Sequence, residues 1–451
     1  MQKPLIAVLL ASTFSLQAHA ADLIQVYQQA LANDATYASA RASLTAGQES
    51  IAQGRAGLLP TIGVTGAYQR SNSSQASWNS GSIIDPNNPS QTIPSYGGTA
   101  NSHQYTVSLQ QPLFRWDRWE TYQQSKLQQS IAEAQFAQAQ QDLITRVAQA
   151  YFDVLAAQDT LDSTRAQKEA TTEQLASAKR NFEVGTQTIT DTHEAQAAYD
   201  LVVSQEIAAV NDLENKKTAL QAIIGAPPAA LATLRQGVTL AAPQPGNVDQ
   251  WVSAAENQNY AVSVAELSLE SAKRDISKNR AGHYPTLDLV ASSTHSRTDG
   301  QTYVSGASSN KGIGIQASIP IFSGFAVTSR VRQSIALEDK ARNDLEANRR
   351  NAALNARQSF LGVNSGLAQV KALEAAEVSS NSALQSNRLG YQVGVRINID
   401  VLNAQRQLYQ TRTDLARARY NTILAGLKLK AAAGSLREED LQPINALLQQ
   451  R

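Results

Sequence analysis

The fold of this chain is indicated by one stretch, Tyr391–Asn403, which reads Tyr-Gln-Val-Gly-Val-Arg-Ile-Asn-Ile-Asp-Val-Leu-Asn. An earlier segment that begins at Phe182 has the same plan: Phe-Glu-Val-Gly-Thr-Gln-Thr-Ile-Thr-Asp. In each copy a glycine separates two long segments rich in Ala, Gln and Leu. Glycine supplies the left-handed backbone that ends one helix, and the polar run after it can cap the next. Both stretches are predicted to be tips of helical hairpins, with a plain helix turn and solvated charges as the alternative.

The two tips belong to an internal duplication. Four features recur at similar spacing: 56–61 as 281–286, Pro112 as Pro320, Val184-Gly185 as Val393-Gly394, and Gly225 as Gly434. The first spacing is 225 residues and the others are 208 or 209. This pattern predicts two like halves, residues 21–226 and 248–434, joined by a linker at 227–247 and followed by a tail at 435–451.

Proline placement predicts where the helices run. No proline occurs between Leu113 and Ala226 or between Ile321 and Gln442, and proline breaks helix interiors. We expect long helices at 118–184 and 326–393, each about 100 Å long at 1.5 Å per residue. Shorter helices are expected at 22–54, 188–225, 247–281 and 397–433. A long helix beside two stacked short ones, twice per chain, would form the wall of a tube, although an ordinary coiled coil is also compatible.

Two short segments in each half alternate between apolar and polar residues. They predict strands at about 59–71, 103–114, 284–297 and 311–322, with one apolar and one polar face. A half-buried soluble hairpin would show the same alternation. Four strands cannot close a barrel in lipid, because an open edge leaves backbone groups unpaired. Two copies would give eight strands, a barrel whose interior is filled by side chains, whereas three copies would give twelve, enough for an open lumen. The simplest prediction is therefore a homotrimer that shares one barrel.

The N-terminal residues 1–20 resemble a signal peptide. Lys3 precedes an apolar run, and Ala18-His19-Ala20 fits a small-x-small cleavage site. The chain has no cysteine and a formal net charge of +1, which excludes disulfides and thiolate metal sites and gives no bulk attraction for nucleic acid. We expect an exported protein.

Taken together, the signal peptide, the duplicated halves, the strand pairs and the Val-Gly tips resemble the TolC family of outer-membrane efflux channels. The resemblance covers essentially the whole mature chain. It implies an α+β membrane channel in the outer membrane: a homotrimer with a twelve-stranded β-barrel, in contact with outer-membrane lipid, continued by a long α-helical barrel in the periplasm. It also implies two partners, a periplasmic adaptor protein and an inner-membrane pump of the RND or ABC type, and the export of drugs or secreted proteins.

The resemblance assigns roles to particular residues. Tyr391 and Arg396 match a gate tether whose acceptors match Thr190 and Asp191. Asp400 matches a carboxylate that faces the lumen, and Asn403 stands where the family has a second aspartate, which implies weaker blockade by cations. The tips that would contact the adaptor match Val184, Gly185, Thr186, Val393, Gly394 and Val395.

Catalysis has little support in the sequence. The histidines show no metal-ligand spacing, and no nucleophile elbow or phosphate-binding loop is present. We expect no enzymatic activity, no cofactor and no metal. One competing hypothesis is a periplasmic coiled-coil scaffold without a pore, which leaves the strands unexplained. The other is an exported enzyme, which is supported only by carboxylates that have no other assigned role.

Overall fold

The structure is a computed structural model that describes residues 20–73, 84–85, 88–92, 98–235, 237–300 and 306–449. The predicted signal peptide therefore lies outside the described residues except for Ala20, and so do parts of the two loops between the predicted strands. The chain divides into two compact units. One comprises Met1–Thr45, Glu133–Ala265 and Asp344–Arg451, and the other comprises Ala46–Ala132 and Glu266–Asn343.

Helices make up most of the described chain. They are α1 (Leu23–Asn33), α2 (Ala35–Gln48), α3 (Ser50–Ala56), α4 (Trp116–Glu183), α5 (Ile189–Ile224), α6 (Val248–Gln258), α7 (Tyr260–Arg280), α8 (Ala326–Gln392), α9 (Asn398–Ala432) and α10 (Leu441–Asn445). The two longest, α4 and α8, contain 68 and 67 residues. In the described part of the chain, no helix combines the length and the apolarity that a membrane crossing requires.

The expected single helices at 22–54 and 247–281 are wrong, because the first is interrupted at Asp34 and at Glu49 and the second at Asn259. Asp34 has an extended ψ of 115°. Its N–H donates to the carbonyl of Ala30 at the end of α1, and its carboxylate accepts a hydrogen bond from the Tyr37 N–H of α2 at 2.6 Å. Asn259 has a ψ of 131°, and its side-chain oxygen accepts the Ala261 N–H at 2.9 Å. Both side chains cap a new helix with their own oxygen. The breaks at Asp34 and Asn259 are 225 residues apart, so the duplication includes them.

Four strands form one antiparallel sheet. The strands of the chain are β1 (Thr61–Ser73), β2 (Ile84–Asp85), β3 (Asn88–Thr92), β4 (Gly98–Phe114), β5 (Thr233–Leu234), β6 (Thr286–Gly300), β7 (Gly306–Ser318) and β8 (Leu448–Gln449). The sheet order is β1-β4-β6-β7, while β2 pairs with β3 and β5 with β8. The strands β1 and β6 begin two residues after the predicted positions, and β4 and β7 begin five residues before them.

The two faces of the four-stranded sheet differ in polarity. One row across all four strands consists of Ile62, Leu109, Ala291 and Ile313. A row on the opposite face consists of Thr65, Thr106, Thr294 and Asn310, in which the hydroxyls of Thr106 and Thr294 are 3.1 Å apart. The apolar row is not buried within the chain, since Ile62 and Ile313 are exposed.

The main core of the other unit surrounds Tyr151 of α4. The Tyr151 hydroxyl donates to the carbonyl of Ala232 at 2.7 Å, and it lies 3.2 Å from the carbonyl of Ala21. The strand β5 lies in the predicted linker and pairs with β8 in the predicted tail. Linker and tail therefore fold against the middle of the helices as ordered structure.

Candidate functional site

The two Val-Gly tips form the same turn. Gly185 and Gly394 have φ values of +76° and +77°, in the left-handed region that favours glycine. The Gly185 N–H donates to the carbonyl of Phe182 at 3.0 Å, and the Gly394 N–H donates to that of Tyr391 at 3.1 Å. The next residue in each copy, Thr186 or Val395, donates its N–H to the carbonyl five residues before it. Each turn thereby satisfies the free carbonyls at the end of a long helix.

Small apolar side chains project from both tips. Val184 is 73% exposed, Val393 is 65% exposed and Val395 is 79% exposed. Thr186 is exposed beside them. Neighbouring exposed apolar groups at the end of a hairpin are typical of a surface that contacts another protein.

The helices that follow the two turns begin differently. Thr188 and Asp191 form a capping box at the start of α5, in which the Asp191 carboxylate accepts the Thr188 N–H at 3.1 Å and its hydroxyl at 2.8 Å. The helix α9 begins after Ile397, whose side chain cannot cap it. The Asp191 carboxylate is thus bonded on its own helix, and Thr190 is exposed beside it.

The predicted tether residues have other partners within the chain. The phenol oxygen of Tyr391 accepts a hydrogen bond from the Gln187 side chain of the first tip. The guanidinium of Arg396 lies 3.7 Å from the carboxylate of Asp400, four residues later. Bonds from Tyr391 or Arg396 to Thr190 and Asp191 do not occur among the contacts of the described residues.

Asn398, which the sequence analysis does not single out, connects three helices. Its side chain is fully buried, with 0% exposure at the first residue of α9. Its amide nitrogen donates to the Asp191 carbonyl of α5 at 3.1 Å, and its oxygen accepts from the Gln174 side chain of α4 at 2.6 Å. A buried amide that uses both its donor and its acceptor in this way fixes the relative position of its partners. The sequence signal is an asparagine between Ile397 and Ile399.

Apolar contacts surround the Asn398 network. Leu175 and Ala178 of α4 pack with Ala195 of α5 and Leu402 of α9 in one buried cluster. The first and second hairpins are therefore joined near their tips by a small core and by the two hydrogen bonds of Asn398.

The predicted constriction residues lie on the first turns of α9. Asp400 is half-buried, and Asn403 is exposed. The side-chain oxygen of Asn403 accepts a hydrogen bond from the Arg406 guanidinium at 2.5 Å. Among the described residues, no group of three or more His, Asp and Glu side chains is arranged to hold a metal ion.

Known proteins resemble this chain along nearly its whole length. The sequence model of the outer membrane efflux protein family matches residues 26–226 and 251–435. Outer membrane protein TolC of Vibrio cholerae is 33% identical over 446 residues, which cover 98% of this chain and 97% of that protein. The proteases secretion protein PrtF of Dickeya chrysanthemi is 32% identical over 455 residues, covering 98% and 95%. The Campylobacter jejuni CmeC outer membrane channel has a TM-score of 0.77 at 17% identity, covering 95% of this chain and 90% of that chain. These matches establish that the chain belongs to the outer membrane efflux protein family.

Proposed function

We propose that this protein is the exit duct of an export machine. It opens at the two Val-Gly tips when a periplasmic adaptor and an inner-membrane pump dock. It is an outer-membrane channel protein whose helical portion lies in the periplasm. The names of its relatives refer to outer-membrane channels and to protease secretion. A periplasmic coiled-coil scaffold without a pore is not favoured, since it leaves the sheet without a role.

The observation that carries this proposal is the four-stranded sheet. One of its faces presents apolar side chains that the chain itself does not cover, including Val64, Tyr68, Ile313 and Ile315. Its outer strands β1 and β7 each have 13 residues and only one partner strand in the sheet. In lipid, open edges leave backbone groups without partners. Three copies paired edge to edge would form a closed twelve-stranded barrel with its apolar face toward lipid.

The gate of this channel would lie at the two Val-Gly tips. Gln187–Tyr391 and the Asn398 network hold the second hairpin to the first within one chain. Arg396 is 58% exposed on its side chain, and its 3.7 Å contact with Asp400 uses little of its donor capacity. We assign Arg396 a second bond, to Thr190 and Asp191 of a neighbouring copy, which would close the tube until docking breaks it.

The exposed tips are the part of the gate that an adaptor would reach. Val184 and Gly185 on one hairpin, and Val393 to Val395 on the other, present backbone and small side chains that another helical hairpin can approach closely. The pump, of RND or ABC type, would select the cargo, so the duct needs no substrate pocket of its own.

Membrane fractionation tests the duct against the scaffold. We expect the mature protein in the outer-membrane fraction as a heat-sensitive trimer on gels and as discrete conducting channels in planar lipid bilayers. A monomer recovered in the periplasmic fraction, with no conductance after reconstitution, would contradict the proposal. Crosslinking from a residue introduced at Val184, with capture of an adaptor, tests the docking site separately.

A further inference from the structure

The two tips have diverged in charge although they share one plan. The segment 185–201 carries Asp191, Glu194 and Asp200 and no Lys or Arg, a formal charge of −3 with His193 neutral. The equivalent segment 394–410, offset by 209 residues, carries Arg396, Asp400 and Arg406, a formal charge of +1. The second tip is therefore cationic where the first is acidic.

The contacts of α9 determine where the positive charge lies. The only carboxylate of the second tip, Asp400, is near Arg396 at 3.7 Å, so its charge is compensated locally. Arg406 donates instead to Asn403, a neutral amide. Among the described residues, the structure gives Arg406 no carboxylate partner. The positive charge of Arg406 is therefore exposed at the surface and is not neutralised by a carboxylate of the described residues.

Arg406 belongs to a polar stripe along the exposed side of α9. Asn403, Arg406 and Gln410 are exposed at spacings of three and four residues, which place them on one face of the helix. The opposite face is buried at Val401, Gln405 and Leu408. A polar stripe backed by a buried face fits the wall of a water-filled passage.

The equivalent face of α5 is different. The residues of α5 equivalent to Asn403, Arg406 and Gln410 are Glu194, Ala197 and Leu201, and of these Ala197 and Leu201 are exposed. Exposed apolar side chains fit a helix that packs against another subunit, whereas the polar stripe suits the lumen. This contrast places α9, rather than α5, at the narrow mouth of the proposed trimer.

We propose that Arg406 determines the charge selectivity of the periplasmic mouth and makes it favour anions over cations. The inference rests on the proposed channel function, and it identifies the ions that the closed or narrow mouth admits. Three copies of Arg406 around one axis would act together, since salt at 0.1 M screens charges only over about 10 Å. A change of one kT in local potential alters the ratio of cations to anions about sevenfold.

The test is the reversal potential of reconstituted channels in a KCl gradient. The wild-type channel is expected to pass chloride more readily than potassium, and hexacyanoferrate added on the periplasmic side should block it more than hexaamminecobalt does. Arg406→Gln removes the charge, and Asn403→Asp leaves Arg406 in place but gives it a carboxylate partner. Both variants should raise the potassium-to-chloride permeability ratio several-fold.

Lys217→Gln is the matched control, because it removes one positive charge from α5, where Lys217 pairs with Glu214 at 2.9 Å. It should leave the permeability ratio unchanged. A wild-type channel that prefers potassium, or an unchanged ratio in Arg406→Gln and Asn403→Asp, would overturn the role of Arg406. Should Arg406→Gln fail to assemble, Asn403→Asp and the wild-type measurements decide. A wild-type protein that forms no channel would refute the proposed function instead.

Discussion

Replacing Asn398 by alanine would separate the two hairpins near the gate. The change leaves the Gln174 side-chain amide without its 2.6 Å acceptor and removes the 3.1 Å donor of the Asp191 carbonyl. An unpaired buried polar group costs about 1–3 kcal/mol. Two groups lose a partner, which would sum to about 2–6 kcal/mol. The Asp191 carbonyl still accepts its hydrogen bond within α5, so we expect a total near the lower end, about 2 kcal/mol.

If these bonds are made only while the tips are together, that free energy acts on the closed state alone. A loss of about 2 kcal/mol then raises the ratio of open to closed channels about 30-fold. Single-channel recording in planar bilayers measures this ratio as the fraction of time spent at high conductance. Gln174→Ala should give a smaller increase, and the double variant should not exceed Asn398→Ala by much, because the two side chains share one bond.

The control is Asn387→Ala, whose amide bonds, within the described part of the chain, only to the Ala383 carbonyl of its own helix at 3.0 Å. It is expected to record like the wild type. An open fraction in Asn398→Ala equal to that of Asn387→Ala, in trimers of normal heat stability, would refute the reasoning that Asn398 holds the tips together.

Three further predictions concern the tips and the middle of the helices. Arg396→Ser combined with Tyr391→Phe should enlarge single-channel conductance, and an unchanged conductance would rule out this pair as the latch. Gly394→Ala forces a side chain into a φ of +77° and should destabilise the second tip by about 1–2 kcal/mol, measured as faster proteolysis there than in the wild type. Burial raises the pKa of Asp34, but the hydrogen bonds from Arg146 and from the backbone N–H groups of Tyr37 and Thr36, together with the positive charge of Arg146, outweigh that effect and hold the pKa below its ordinary value. The carboxylate therefore stabilises the fold above its unfolded pKa of about 4 and loses this effect as the pH falls. Asp34→Asn should lower the melting temperature at pH 7 and much less at pH 3; an equal loss at both values would contradict the ion pair.

The hairpin tips were accessible to sequence reasoning because their signals are local. A glycine ends a long helix-forming segment in each half of the duplicated sequence. This pattern is sufficient to place Gly185 and Gly394 at the hairpin tips. The breaks at Asp34 and Asn259 were missed, because good helix formers continue on both sides of a single residue. Only the ability of Asp and Asn to cap a new helix marks these positions, and that ability is not distinctive in an isolated sequence.

The partners at the site required the structure. The capping box of Thr188 and Asp191 follows a readable pattern, in which a threonine precedes an acidic residue by three positions. The pairing of Tyr391 with Gln187 depends on how far one hairpin is shifted along the other. That shift is set by packing over many turns of helix, so neither residue's neighbours in the sequence encode it. The partners of Asn398 on α4 and α5 depend on the same packing, so its role is not readable from the sequence.

The folding of the unit around Tyr151 has a consequence for how the protein is made. The N–H of Leu23 donates to the side chain of Asn445, 422 residues later, and Ala21 bonds to Ala230. A chain delivered across the inner membrane from its N-terminus presents Leu23 and Val26 long before residues 441–449 arrive to cover that region. We expect a periplasmic holding chaperone to bind these early apolar residues in the interval. Chains interrupted before Asn445 would keep them uncovered and become substrates for periplasmic proteases.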